Sequence, residues 1–298
     1  MMKPMKWTVT AGLLIAAAGH AQTLAGVIDI HAHTDPDSRP RSIDAIDLAR
    51  MAKERGMRGL VLKSHYEPTA SMAYLVRKAV PGIEVFGGID LNRTVGGVNA
   101  EAVERMAQIK GGYGRVVWMP TFDAENQVRF SKENRPFVAV ARSGELLPEV
   151  KQVIALAAKY GLTVETGHSS PAEGLLIVRE ARRQGVRAVV THAMLAPVHM
   201  STADMQAAAR EGAYIEFVYN GLTGAGKEFA IGDYVKAIRA VGPEHCILAS
   251  DLGQAGNPVH PEGLSAFFAA LRAAGISEAE IAVMAKRNPA RALGLAEP

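Results

Sequence analysis

Val27-Ile28-Asp29-Ile30-His31-Ala32-His33 is a short apolar run that ends in two histidines. β-Branched residues favour extended backbone, and residues two apart on a strand point the same way. His31 and His33 can therefore approach one ion from one side. The same theme, an apolar run followed by a polar residue and then by helical periodicity, recurs along the chain. Residues 27–30, 59–62, 84–90, 115–119, 162–166, 187–191, 213–219 and 246–250 read as strands. Most are continuously apolar rather than alternating, as parallel strands covered on both faces are.

Helices are expected between them. Ala45, Leu48, Ala49 and Ala52 share one face after a Ser42 cap, and Val153, Leu156, Ala157 and Tyr160 form a second stripe. Ser201-x-x-Asp204 and Ser277-x-x-Glu280 have the spacing of capping boxes. Eight strand–helix alternations in about 250 residues match a (β/α)8 TIM barrel, with a doubly wound open sheet as the alternative. The longest connection runs from Thr121 to about Leu147. It is read either as a lid or as a surface excursion whose arginines pair with Asp123, Glu125, Glu133 and Glu145.

The chain has 298 residues, 48% hydrophobic and 21% charged, which excludes a disordered or collagen-like protein. A net charge of +3 gives no nucleic-acid surface, and the single cysteine, Cys246, allows neither an internal disulfide nor a cysteine zinc cluster. Met1–Lys6 carries two lysines, Trp7–Gly19 is uncharged and largely apolar, and Gly19-His20-Ala21 offers small residues at the positions a signal peptidase reads. The expected organisation is a cleaved leader over 1–21 and one barrel domain over 22–298. Loss of Lys3 and Lys6 leaves 277 residues with a net charge of +1. The apolar run is shorter than the ~20 residues that span a bilayer. The mature chain is therefore expected to be exported, periplasmic or secreted, with no membrane attachment and with a homo-oligomer left open.

The histidines sit where strands end. His168 follows the fifth strand, His192 the sixth, and Asp251 the eighth. In a barrel these ends converge on one rim. His31, His33, His168, His192 and Asp251 are thus candidate ligands of a divalent metal, with a position left for water and with Asp29 behind them. Lys63 and His65, at the end of the second strand, face the same mouth as candidates for binding an anionic part of a substrate. Each residue alone also reads as an ordinary strand-end polar group or helix cap; the ordered set points to metal. Imidazole and carboxylate suit zinc, manganese, iron or nickel, zinc being the first expectation.

This ordered set resembles the amidohydrolase superfamily of metal-dependent hydrolases, whose pattern is His-x-His after strand one, histidines after strands five and six and aspartate after strand eight. Asn288-Pro289-Ala290-Arg291-Ala292-Leu293-Gly294-Leu295 is similar to the closing helix of many members. Binuclear members carry a carboxylated lysine or a glutamate after strand four, where this chain reads Val117-Trp118-Met119-Pro120-Thr121. Lys63 and Glu165 are substitutes at other positions. The resemblance therefore implies one or two ions, with one preferred. The start of the chain also looks like the polymerase-and-histidinol-phosphatase phosphoesterases, with Ser64 where those carry aspartate.

The ligand set implies water activated by a metal at neutral pH. Asp251 would be the proton carrier, and His192 would steady developing charge or hold a second ion. The leading expectation is hydrolysis of an amide, cyclic amide, ester or lactone of a small molecule. The alternatives are phosphoester hydrolysis, non-oxidative decarboxylation, and an inactive exported barrel that binds metal or ligand without turnover.

Overall fold

The computed structural model describes residues 24–297; the expected leader, 1–21, lies outside them. Eight parallel strands pair in chain order: β1 (Ile28–His33), β2 (Gly59–Lys63), β3 (Glu84–Asp90), β4 (Gly114–Trp118), β5 (Thr163–Glu165), β6 (Arg187–Val190), β7 (Tyr214–Val218) and β8 (Cys246–Ala249). The sheet curls until its edges meet. Asp251 N–H donates to the His31 carbonyl at 2.9 Å and His33 N–H to the Leu252 carbonyl at 3.0 Å. The result is the expected (β/α)8 barrel rather than an open sheet.

Helices α1 (Ala45–Glu54), α2 (Ala70–Ala79), α3 (Ala100–Ala107), α4 (Glu125–Phe130), α5 (Pro148–Tyr160), α6 (Pro171–Arg183), α7 (Thr202–Arg210), α8 (Ile231–Val241) and α9 (His260–Ala273) follow the strands. The alanine–leucine face expected at 45–52 is buried against the sheet. Ser201 and Ser277 cap α7 and the following α10 (Glu278–Ala282) through full capping boxes. At α1 the cap is Asp44 rather than Ser42: the Asp44 carboxylate accepts from the N–H groups of Ile46 and Asp47, while Ser42 gives its N–H to the Gly253 carbonyl at 2.9 Å. Residues 121–147, expected as one long loop, contain α4 and a small hairpin of Ala141–Arg142 with Glu145–Leu146. Of the expected pairings, Arg129 takes Glu125, and Arg135 takes Asp123 and Glu133. Among the described residues, no helix is long and apolar enough to cross a membrane.

Period-two alternation divides the strands between two cores. Leu60, Leu62, Val85, Val117, Phe217 and Leu248 face the helices, whereas Val61, Phe86, Val116, Trp118, Val189 and Ile247 fill the barrel. The floor is sealed by Ala290, Ala292 and Leu293 at the end of α11 (Asn288–Ala292), held where Arg187 Nε donates to the Ala292 carbonyl at 2.8 Å. Above this apolar plug the inward positions turn polar: Lys63, Asp90, Glu165 and Glu216.

β1 reaches that polar layer by breaking the alternation. Ile28 and Ile30 point into the barrel and Ala32 points out. Asp29 pairs with Leu60 and Ala32 with Leu62, so β1 carries one residue more than β2 over this stretch. This is a β-bulge, which kinks a strand and re-aims its side chains. It puts His31 and His33 on the inner face above Ile30. Gly88 on β3 leaves room for the neighbouring strand and its ring, because a Cβ there would lie 2.2 Å from the Val116 carbonyl oxygen and 2.5 Å from the Trp118 ring. Gly88→Ala should therefore cost about 1–3 kcal/mol through overpacking. Thermal unfolding would read this as a lowered midpoint, and an unchanged midpoint would contradict the tight contact.

Candidate metal centre

The strand ends deliver three donors to one point. His31 Nε2 and His33 Nε2 lie 3.1 Å and 3.2 Å from Asp251 Oδ1, and the donor atoms of these three buried residues lie within 4.8 Å of one another. The second nitrogen of each ring is already engaged. His31 Nδ1 is 3.2 Å from both oxygens of Glu216, and His33 Nδ1 is 3.1 Å from the Lys63 carbonyl oxygen. A carbonyl oxygen can only accept, so His33 carries its proton on Nδ1 and presents a lone pair on Nε2. The Glu216 carboxylate likewise accepts from His31 Nδ1–H, which leaves His31 Nε2 directed at Asp251. Asp251 itself is held at φ +49, its Oδ2 taking a hydrogen bond from Asn220 at 3.2 Å.

The other expected residues line the same cavity of about 480 Å³. His168 donates through Nδ1 to Gln127 Oε1 at 2.7 Å, and its ring centroid is 4.9 Å from that of His192. His192 is 5.9 Å from His31 between centroids, and its Nδ1 is buried without a partner. His65 stacks on His33 at 4.7 Å, with Nδ1 2.8 Å from Thr121 Oγ1 and 3.2 Å from Asp90 Oδ2. Lys63 Nζ is 3.1 Å from His31 Nε2, 4.0 Å from Asp90 and 5.2 Å from the centre of the Trp118 ring. All seven predicted residues meet in one place, although His168 and His192 form the wall and stand outside the tight group.

Sequence reasoning missed three contributors. Glu216 on β7 clamps the site twice, since it faces His31 and also accepts the His192 N–H at 2.8 Å. A lone acid in the otherwise apolar Tyr214–Val218 was its signal. Asp90 has a similar signal at the end of β3. Gln127 has none, since only the fold brings α4 to His168.

Burial and pairing set the charges. Burial and the Lys63 ammonium both press the His31 pKa down, but the flanking Asp251 and Glu216 outweigh them and raise it to about 10. Burial lowers His33 to about 3 and His192 to about 4, and it pushes His65 and His168 well below the imidazole range. Burial opposes ionisation of Asp251, yet the positive charge of His31 and its hydrogen bond hold it well below the usual carboxylate range. Burial and the Glu216 charge lift Glu165 to about 8.

The donors fit a divalent cation. Two imidazoles and a carboxylate converge, each imidazole braced from behind as metal-binding histidines are. The proton that His31 retains between Asp251 and Glu216 sits where positive charge is wanted. His31, Glu165 and Glu216 form a second close group, but it lies on the bracing side of His31. Glu216→Gln should weaken Co²⁺ or Zn²⁺ binding by about 10–100-fold, the usual effect of losing such a brace. Isothermal titration measures this, and wild-type affinity would show that Glu216 does not position His31.

The barrel is similar to those of several solved structures. These include an amidohydrolase from Pseudomonas aeruginosa (TM-score 0.60, 16% identity, covering 90% of this chain and 95% of that one). An organophosphorus hydrolase from Deinococcus radiodurans gives a TM-score of 0.60 at 16% identity over 91% of this chain and 92% of that one. A mutant PTE-like lactonase from the same organism gives 0.62 at 16% identity over 92% and 98%. At this identity the likeness establishes the fold. No curated protein matches the sequence. Residues 26–216 match DUF6282, described as a family of unknown function, and the chain belongs to that family.

Proposed function

We propose that this chain is a metal-dependent hydrolase acting on an ester, lactone, amide or cyclic amide of a small molecule. The observation that carries the reading is the convergence of His31 Nε2, His33 Nε2 and Asp251 Oδ1 at the carboxyl ends of barrel strands, each ring braced through its other nitrogen. Active sites of such barrels lie at this face. The solved structures with a similar barrel include proteins titled amidohydrolase, organophosphorus hydrolase and lactonase, which is consistent with the reading.

His31, His33 and Asp251 would hold the cation, with His168 and His192 beside it. A divalent cation there supplies Lewis acidity, bringing the ionisation of water towards neutral pH. The remaining work falls to the chain. Asp251 is ionised and faces the cavity, so it can take the proton of an attacking water and return it to the leaving group. The Lys63 ammonium and His192 line the floor and wall, where they oppose negative charge developing on a carbonyl oxygen. His65 and Phe122 line the same cavity.

One ion is the favoured count. Lys63 Nζ already places a positive charge next to His31 Nε2, and β4 ends in Trp118 where a bridging acid or modified lysine would be needed. Zinc is the favoured ion for nitrogen and carboxylate donors. The reading includes removal of a leader over 1–21 and export of residues 22–298, supported by the N-terminal charge and hydropathy pattern.

Metal analysis of the purified chain should give close to one divalent ion per molecule, and chelation should abolish turnover on an ester, lactone and amide panel. Asp251→Asn should fold and lose at least about 10²-fold in kcat. Activity equal to wild type would remove Asp251 as the proton carrier, and metal without turnover on the whole panel would support a binding protein instead.

A further inference from the structure

We infer that the substrate carries a carboxylate away from the bond that is cleaved, and that Arg39 reads it. This rests on the hydrolase reading for the word substrate, while the anion site itself stands on its own geometry. A column of stacked groups climbs from the centre to the mouth of the cavity. His33 and His65 stack at 4.7 Å, the Phe122 ring meets His65 at a tilt with centroids 4.0 Å apart, and the Arg39 guanidinium lies 4.6 Å from the Phe122 centroid. The Tyr66 ring flanks the same guanidinium at 5.9 Å.

Every other charged group lining the cavity is already engaged. Lys63 faces His31 and Asp90, Asp251 holds His31 and His33, and Glu228 takes the Ala196 N–H at 3.1 Å and pairs with His199 at 3.2 Å. Arg41 is clasped by Asp37 through two nitrogens, at 2.7 Å and 2.6 Å. Of the charged side chains lining this cavity, Arg39 alone has neither an ion pair nor a side-chain hydrogen bond among the described residues. Its loop is nonetheless fixed, since Pro40 follows it and the Ser42 N–H is tied to the Gly253 carbonyl.

A guanidinium stacked on a ring loses little freedom when it binds, and its planar fork matches a carboxylate through two parallel N–H donors. One uncommitted cation suits one negative charge. A phosphate dianion would find no second free partner at this rim. The spacing between Arg39 and the histidines places the recognised anion at the far end of the molecule from the reacting carbonyl.

The test uses the metal-loaded protein and a matched pair of probes, mono-4-nitrophenyl glutarate and its neutral methyl ester. Wild type should favour the acid by at least about tenfold in kcat/KM, a preference that shrinks with added salt. In Arg39→Ala the ratio should collapse towards one, with Arg39→Lys between. Turnover of both esters without discrimination would overturn the inference and leave the hydrolase reading standing. If neither ester is turned over, glutarate binding by calorimetry decides. Affinity at least fivefold weaker in Arg39→Ala supports the anion site, whereas equal affinity, or no binding by wild type, overturns it.

Discussion

A carboxylate buried without solvent needs a positive charge or several hydrogen-bond donors, and Glu216 has both. Its oxygens face His31 Nδ1, and one of them accepts the His192 N–H. The first contact fixes the ring whose other nitrogen meets Asp251. The second fixes the backbone of a residue held at φ +27. One side chain on β7 thereby couples β1, the end of β6 and, through His31, the end of β8. The metal-binding geometry is a consequence of that coupling, and so is its cost, since the anion in the barrel is tolerated only while its partners stay in register.

The charges around it form a graded set. Asp251 and Glu216 are ionised, Glu165 is pushed by burial and by Glu216 towards its protonated form, and Asp90 is raised by burial to about 7 beside Lys63. Acids stacked this closely cannot all ionise. The layer thus carries its negative charge on Asp251 at the cavity and on Glu216 behind His31, and the neutral imidazoles of His33, His65, His168 and His192 line the same cavity as lone-pair donors. This polar layer rests on the buried apolar plug that fills the lower barrel.

The barrel was legible because its signals were local. Each strand announced itself as an apolar run, and the expected runs overlap all eight observed strands. Chemistry at strand ends was legible for the same reason: His31, His33, His168, His192 and Asp251 stand at the ends of their runs, where the topology gathers them. Other features depended on tertiary contacts. Asp44 displaced Ser42 as a cap because Ser42 was recruited by the loop after β8. Glu216 lay inside a run where strand reading assigns inward and outward faces but not partners. Gln127 acts from a short helix and Arg39 from a loop whose placement is set by what they pack on, and no spacing in the sequence encodes that placement.

The bulge in β1 has a wider meaning. Strict alternation beyond Ile30 would turn Ala32 inward and send His31 and His33 out among the helices, with every residue name unchanged. The chemistry of this barrel is therefore written partly as a count. A lineage could lose or acquire the site through a single-codon insertion or deletion in this strand, leaving its histidines present but aimed at the wrong layer. Any comparison of family members that aligns the two histidines without checking the number of residues before them would miss that event.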